Sequence, residues 1–155
     1  MIPRVSEVAW KLRAATEDDR AALFEVHCAA MRPYVEATWG WDDEEQARMF
    51  AERFRAASWQ VVTVGSETAG MLSMEENADE IWLASIEIHP RFQGRGLGTA
   101  IVRSLLTRSA RSGKPVTLRV LHANHRARAL YERLGFEQFR EIETHAYFRA
   151  RPSQT

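Results

Sequence analysis

The sequence predicts an α/β domain whose mixed, largely antiparallel twisted sheet is flanked by helices. Segments of strand character and helical period alternate in the order β-α-α-β-β-β-α-β-α-β-β. Short turns join several successive strand-like runs, which favours antiparallel neighbours. At 155 residues, with 45% apolar and 27% charged side chains, the chain has enough material for one core and too little for two. Residues 1–150 are therefore read as one domain and Arg151–Thr155 as a loose tail.

Trp10-Lys11-Leu12-Arg13 alternates as a first strand, and Thr16 with Asp19 three positions on resembles a helix start. Leu23, Phe24, His27, Cys28 and Met31 then recur at helical spacing, and Pro33 is expected to stop that helix. A second helix begins at Asp42, which can cap it while Glu45 reaches back, and it carries Phe50, Phe54 and Ala57 toward the core. The β-branched run Gln60–Val64, the turn Gly65-Ser66 and the returning run Ala69–Met74 read as paired strands. After an acidic turn over Glu75–Asp79, Ile81–His89 reads as a long strand closed by Pro90. The next helix sets Leu97, Ile101, Val102, Leu105 and Leu106 against Thr99, Arg103, Thr107 and Arg111, and ends at Gly113 before Pro115. Val116–Val120 is a strand. Asn124–Leu134 is an amphipathic helix with Ala127, Leu130, Tyr131 and Leu134 on one face, stopped by Gly135. Phe136–Arg140 and Ile142–Arg149 read as a terminal hairpin.

Twenty-one basic and 21 acidic residues cancel, which removes the footprint of a nucleic-acid or polybasic membrane binder. Cys28 alone cannot form an internal disulfide, a pattern that fits a reducing, cytoplasmic setting. The segment Met1–Val8 has no signal-like apolar stretch, and no run is long enough for a membrane helix. His122 and His125 straddle a strand-to-helix junction without accompanying thiolates or carboxylates, so no metal is expected. His27, on an apolar helical face, reads as a core histidine.

The most informative stretch is Gln93-Gly94-Arg95-Gly96-Leu97-Gly98-Thr99, between a strand and a helix. Backbone N–H groups and the positive end of a helix dipole converge there, which makes an anion seat. The third glycine arrives one residue too early for a dinucleotide fingerprint, and no Gly-Lys-Ser/Thr triplet is present for a P-loop. The alternative is a turn that merely reverses the chain.

Gln93-x-x-Gly96-x-Gly98, preceded by Ile86-Glu87-Ile88-His89-Pro90, resembles motif A of the GNAT superfamily of N-acetyltransferases. Asn124-x-x-Ala127-x-x-Leu130-Tyr131-Glu132-Arg133-Leu134-Gly135-Phe136 resembles its motif B. The resemblance implies acetyl-CoA as co-substrate, its pyrophosphate in the loop from Gln93 through Gly94, Arg95, Gly96, Leu97 and Gly98 to Thr99. It implies that the strand bearing Ile86 and Ile88 runs parallel to, and splays from, the strand Val116–Val120, so that the pantetheine lies between them as a surrogate strand. Asn124 is either a CoA contact or simply a helix N-cap; Gly135 and Phe136 are assigned to structure.

The resemblance also places Tyr131 beside the cofactor sulfur, as donor to the departing thiolate; the alternative is packing between Ala127 and Leu134. An alkylamine of pKa about 10.4 needs roughly 4.6 kcal/mol to become neutral at pH 7, so a proton acceptor is required. The resemblance implies a base on the strand before motif A, close to its start, so Glu80, at the start of the fourth strand, is preferred over Glu87 nearer its end. Parity puts the two on opposite faces, and each can also be a solvated carboxylate. Tyr34, Glu36, Trp39 and Trp41, between the first two helices, either wall the acceptor site or belong to a packed loop. The expected activity is direct acetyl transfer to a primary amine, on a small molecule or a peptide, without a covalent enzyme intermediate. A CoA-sensing module without turnover and a protein N-terminal acetyltransferase are the alternatives, and homodimerisation is a superfamily tendency.

Overall fold

The computed structural model describes residues 9–55 and 58–153. Met1–Val8, Ala57 and the last two tail residues, Gln154 and Thr155, lie outside them, so the expectations placed there have no structural counterpart. The strands are β1 (Trp10–Ala14), β2 (Trp59–Val64), β3 (Glu67–Glu76), β4 (Ile81–Ile88), β5 (Val116–Leu121), β6 (Glu137–Glu141) and β7 (His145–Ala150). The helices are α1 (Arg20–Trp39), α2 (Asp43–Arg53), α3 (Leu97–Ser112) and α4 (His125–Arg133), in the expected order. The strands form one sheet in the order β1-β2-β3-β4-β5-β7-β6. Every pairing with a described register is antiparallel except that of β4 with β5. No helix among the described residues is long and apolar enough to cross a membrane.

Packing divides the chain into two compact units. The first comprises the described residues up to Ser73 together with Ser85–Leu97. Its core joins Ala15, Leu23, Phe50, Phe54, Trp59, Val61 and Met71, with Phe24 packed against it. Phe50 is the hub, its ring 5.2 Å from Phe24, 5.8 Å from Phe54 and 5.5 Å from Trp59. The Asp19 carboxylate accepts from the Thr16 N–H at 2.8 Å, as the Thr/Asp spacing predicts, and opens a 3-10 turn that leads into α1. The Asp42 carboxylate accepts from the Glu45 N–H at 2.8 Å and caps α2.

α1 runs through Pro33 and ends at Gly40, contrary to the expectation that proline would stop it. Pro33 removes one backbone donor, a local cost of about 3 kcal/mol. Burial of Ala30 and Val35 on either side opposes that cost, and the Thr38 hydroxyl adds a bond to the Tyr34 carbonyl at 2.7 Å. α2 in turn ends at Arg53, which leaves buried Phe54 as its C-cap.

In the same unit β3 and β4 approach closely at Gly70. A Cβ built there would collide with the Glu87 carbonyl oxygen and come within 2.8 Å of Ile88 Cδ1. β4 also changes the edge to which it presents its backbone. Ile81 donates its N–H to Pro115 at 2.9 Å, just before β5, whereas His89 donates to Ala69 in β3 at 2.8 Å. These residues are an even number apart and in an unbroken strand would donate to the same edge, so the alternation slips once between them.

The second unit comprises Met74–Ala84 and the described residues from Gly98 on. β4 and β5 pair in parallel from Ile81↔Val116 to Leu83↔Leu118; β4 continues to Ile88 and β5 to Leu121 beyond that ladder. β5 pairs with β7 along its whole length, and β6 pairs with β7 across a register shift at Gln138/Arg140. The terminal hairpin differs from expectation in its bounds: β6 keeps its expected length but lies one residue further on, leaving Phe136 before it, and β7 is shorter, running from His145 to Ala150. Ile81, Ile101, Val102, Val116, Leu118 and Phe148 are buried.

Candidate donor and acceptor residues

The loop after β4 is braced by its own side chains. His89 Nδ1 accepts from the Arg91 N–H at 3.1 Å, and the Phe92 N–H returns to the His89 carbonyl at 2.8 Å, closing a 3-10 turn. Gln93 then reaches back, its Nε2 donating to the Ile88 carbonyl at 2.8 Å. Gln93 thus holds the loop against the strand, and the Ile88 carbonyl already has a partner. Gly94 and Gly96 take φ of 78° and 83°, values other residues resist. Gly98 does not join them: it lies inside α3, where a Cβ would reach Leu130 Cδ2 at 3.5 Å, an ordinary packing contact. The Arg91 and Arg95 guanidiniums lie 5.0 Å and 5.4 Å from the Phe92 ring, and Arg91 also pairs with Glu67. Two left-handed glycines, open space at the Gly94 Cβ position and the start of a 16-residue helix fit a diphosphate.

Also in the first unit, Tyr34, Glu36 and Trp39 stand on the last turns of α1 rather than in a loop, because α1 outlasts Pro33. Glu36 accepts from Arg32 Nε at 3.4 Å, and Trp39 is 61% exposed. Trp41 points its indole N–H at Asp43 Oδ1, 2.7 Å away, with its ring 6.2 Å from His27 and 5.3 Å from the Arg32 guanidinium.

His27 and Glu87 form a buried pair, each 5% exposed, with His27 Nδ1 2.7 Å from Glu87 Oε1. His27 Nε2 faces Gln46 Oε1 at 3.1 Å, and Ser85 Oγ donates to Glu87 Oε2 at 3.4 Å. Burial lowers the His27 pKa, but the hydrogen bond and charge of Glu87, helped by Gln46, outweigh it and leave it raised. Nothing in the sequence joins His27 to Glu87, and the one signal for Gln46 is a polar residue on an apolar helical face. Cys28 is half-buried and burial pushes its thiol up, away from the reactive thiolate.

In the second unit, Glu80 precedes β4 in a turn held by Asn77, whose Oδ1 accepts from the Asp79 and Glu80 N–H groups at 2.7 Å and 2.9 Å. Asn124 caps α4, its Oδ1 accepting from the Ala127 N–H at 3.1 Å. The Thr99 hydroxyl accepts from Arg133 Nη2 at 3.1 Å. Tyr131 is buried, its ring 5.5 Å from Phe136, and burial holds its proton well above the usual phenol range. Among the described residues its hydroxyl has no hydrogen-bond partner.

The acetyltransferase (GNAT) family profile matches residues 20–136, most of the chain. The chain belongs to the GNAT acetyltransferase family. It is therefore an acyltransferase, and members of this family use acetyl-CoA. Spermine/spermidine N(1)-acetyltransferase of Bacillus subtilis (strain 168) is 27% identical over 139 residues, covering 85% of this chain and 90% of that protein. Among solved structures, PaiA N-acetyltransferase from Thermoplasma acidophilum, in complex with coenzyme A, superposes with a TM-score of 0.77 at 12% identity. That match covers 92% of this chain and 99% of the other. Ribosomal-protein-S18-alanine N-acetyltransferase from Escherichia coli gives 0.66 at 22% identity, over 95% and 96%. Both show the GNAT fold.

Proposed function

We propose that this GNAT protein transfers the acetyl group of acetyl-CoA directly to a primary amine, with residues 1–150 acting as one N-acetyltransferase domain in the cytoplasm. The observation that carries this reading is the loop Gln93–Thr99, fixed on Ile88 by Gln93 and shaped by Gly94 and Gly96 at the head of α3. Acetyl-CoA supplies the acetyl group as a thioester. The loop amides and the start of α3 hold its diphosphate, and the backbone around Ile86 and Ile88 orients its pantetheine. The Ile88 carbonyl already accepts from Gln93, which fixes its direction and leaves it one further lone pair.

Tyr131 keeps its proton because it is buried, and acts as a standing hydrogen-bond donor to the developing thiolate; the same burial raises the affinity of a thiolate for a proton. In this reading Glu80 takes the amine proton, a role supported by a carboxylate with no side-chain partner among the described residues. The half-buried, proton-retaining Cys28 supports attack by the amine itself rather than by an enzyme thiolate. The end of α1, with Tyr34, Glu36 and Trp39, and the following Trp41 wall the acceptor. The named substrates of the Bacillus relative make spermidine and spermine the first acceptors to try.

Calorimetry with acetyl-CoA, followed by a thiol-release assay across polyamines, other amines and N-terminal peptides, tests the reading. Binding with acceptor-dependent release is expected. Binding without release from any acceptor identifies a sensor, and no binding overturns the proposal.

A further inference from the structure

The His27–Glu87 pair bears on the donor site through the strand it holds. Both ring nitrogens of His27 face acceptors, the Glu87 carboxylate at 2.7 Å and Gln46 Oε1 at 3.1 Å, an arrangement satisfied when both carry protons. The imidazolium and the carboxylate then neutralise each other in a buried site. For Glu87 to take a proton from an amine, the buried pair would have to become a net cation, at a desolvation cost that an uncharged alternative avoids. Glu87 is therefore poorly suited to be the base. What it does instead follows from its neighbours. Its carbonyl packs on Gly70, the Ile88 carbonyl is bonded to Gln93, and the His89 N–H is bonded to Ala69. From Glu87 to Gln93 the chain is tied residue by residue, and the pair with His27 fastens the start of that run to α1, with Gln46 extending the link to α2.

We propose that His27 is a positioning residue for the donor site: by clamping Glu87 it fixes the Ile86–Ile88 backbone and the glycine loop, and it withdraws Glu87 from proton transfer. The inference rests on the acetyl-CoA reading given above. Arg53 of α2 is the other charged group that acts on the ring, and it opposes the imidazolium without reversing the balance.

Isosteric variants test the clamp. Asparagine at 27 puts an amide nitrogen near the place of Nδ1, so His27→Asn keeps the donor to Glu87. Glutamine puts its amide near the place of Nε2, so His27→Gln keeps the Gln46 contact and loses Glu87. The calorimetric Kd for acetyl-CoA is expected to rise about tenfold in His27→Gln and Glu87→Ala, and to recover to within about threefold of wild type in His27→Asn. Val26→Ala, a cavity at another buried position of α1, should lower thermal stability without raising the Kd. Where transfer is measured, Glu87→Gln should leave the acid limb of the kcat/KM profile in place.

Equal Kd values in His27→Gln and His27→Asn, or a Kd in Val26→Ala that rises as far as in His27→Gln, would overturn the clamp. So would a hundredfold loss of kcat in Glu87→Gln at unchanged Kd, which would make Glu87 the base. Should Glu87→Ala fail to fold, the two His27 variants carry the comparison. Failure of wild type to bind acetyl-CoA removes the donor-site reading itself, an outcome distinct from wild type binding as well as its variants.

Discussion

His27 of α1 and Glu87 of β4, 60 positions apart in sequence, share a 2.7 Å contact from which solvent is almost excluded. Because the folded protein raises the His27 pKa, the pair adds stability that is fully present below about pH 6.5, the value for a free histidine. That contribution is lost as pH rises through the folded value. The stability advantage of wild type over His27→Gln should therefore be largest at mildly acid pH and shrink toward alkaline pH, as read by urea melts across the range. An advantage that grows with pH would contradict the pairing.

Asp19 runs the other way. Its hydrogen bond to Arg13, at 2.7 Å, lowers its pKa to about 2 against the opposing effect of burial, with the Thr16 N–H helping. Its contribution is present above the ordinary aspartate value of about 3.9 and disappears as pH falls through about 2. Arg13 is half exposed, which limits the ion pair, so Asp19→Ala should cost about 1 kcal/mol near neutral pH, much of it from the lost cap. Chemical denaturation at pH 7 and pH 2 measures both halves of this statement.

Gly70→Ala places a methyl group against the Glu87 carbonyl and Ile88 Cδ1. Backbone on one side leaves little room to yield, so a loss of about 1–3 kcal/mol is expected, together with weaker acetyl-CoA binding because β4 must shift. Thermal unfolding and calorimetry on the same samples would show whether the two effects appear together.

Thr117 Oγ1, on β5, is buried without a hydrogen-bond partner among the described residues. Thr117→Val keeps the shape and the β-branch and removes the unsatisfied hydroxyl, so it should stabilise the protein by about 1 kcal/mol in a urea titration. A destabilised valine variant would mean that the hydroxyl has a partner in solution.

Tyr131→Phe keeps the ring packed on Phe136 and deletes the donor. kcat should fall by roughly a hundredfold with acetyl-CoA affinity retained. Unchanged turnover would return Tyr131 to the core.

The element order was legible because each element carries its own period and its own punctuation: Thr16 and Asp19, Asp42, Gly113 before Pro115, Asn124 and Gly135. Local rules failed where burial overrode them. Pro33 reads as a stop because its cost is local, whereas the compensating burial of Ala30 and Val35 comes from the fold. Gly98 reads as part of the loop because spacing alone does not separate a left-handed glycine from one that packs under Leu130. Parity placed Glu80 and Glu87 on one unbroken strand, but Glu80 precedes β4 and the strand slips within its length. The link from His27 to Glu87 and Gln46 depends on three elements far apart in sequence, and no periodicity encodes it.

The bond from Gln93 to Ile88 also bears on how a nucleotide would arrive. The turn that presents Gly94 and Gly96 is latched by its own side chain, so little ordering remains for the ligand to impose. Association should then resemble docking onto a rigid cradle, with a small entropic penalty and a rate governed by diffusion rather than by loop closure.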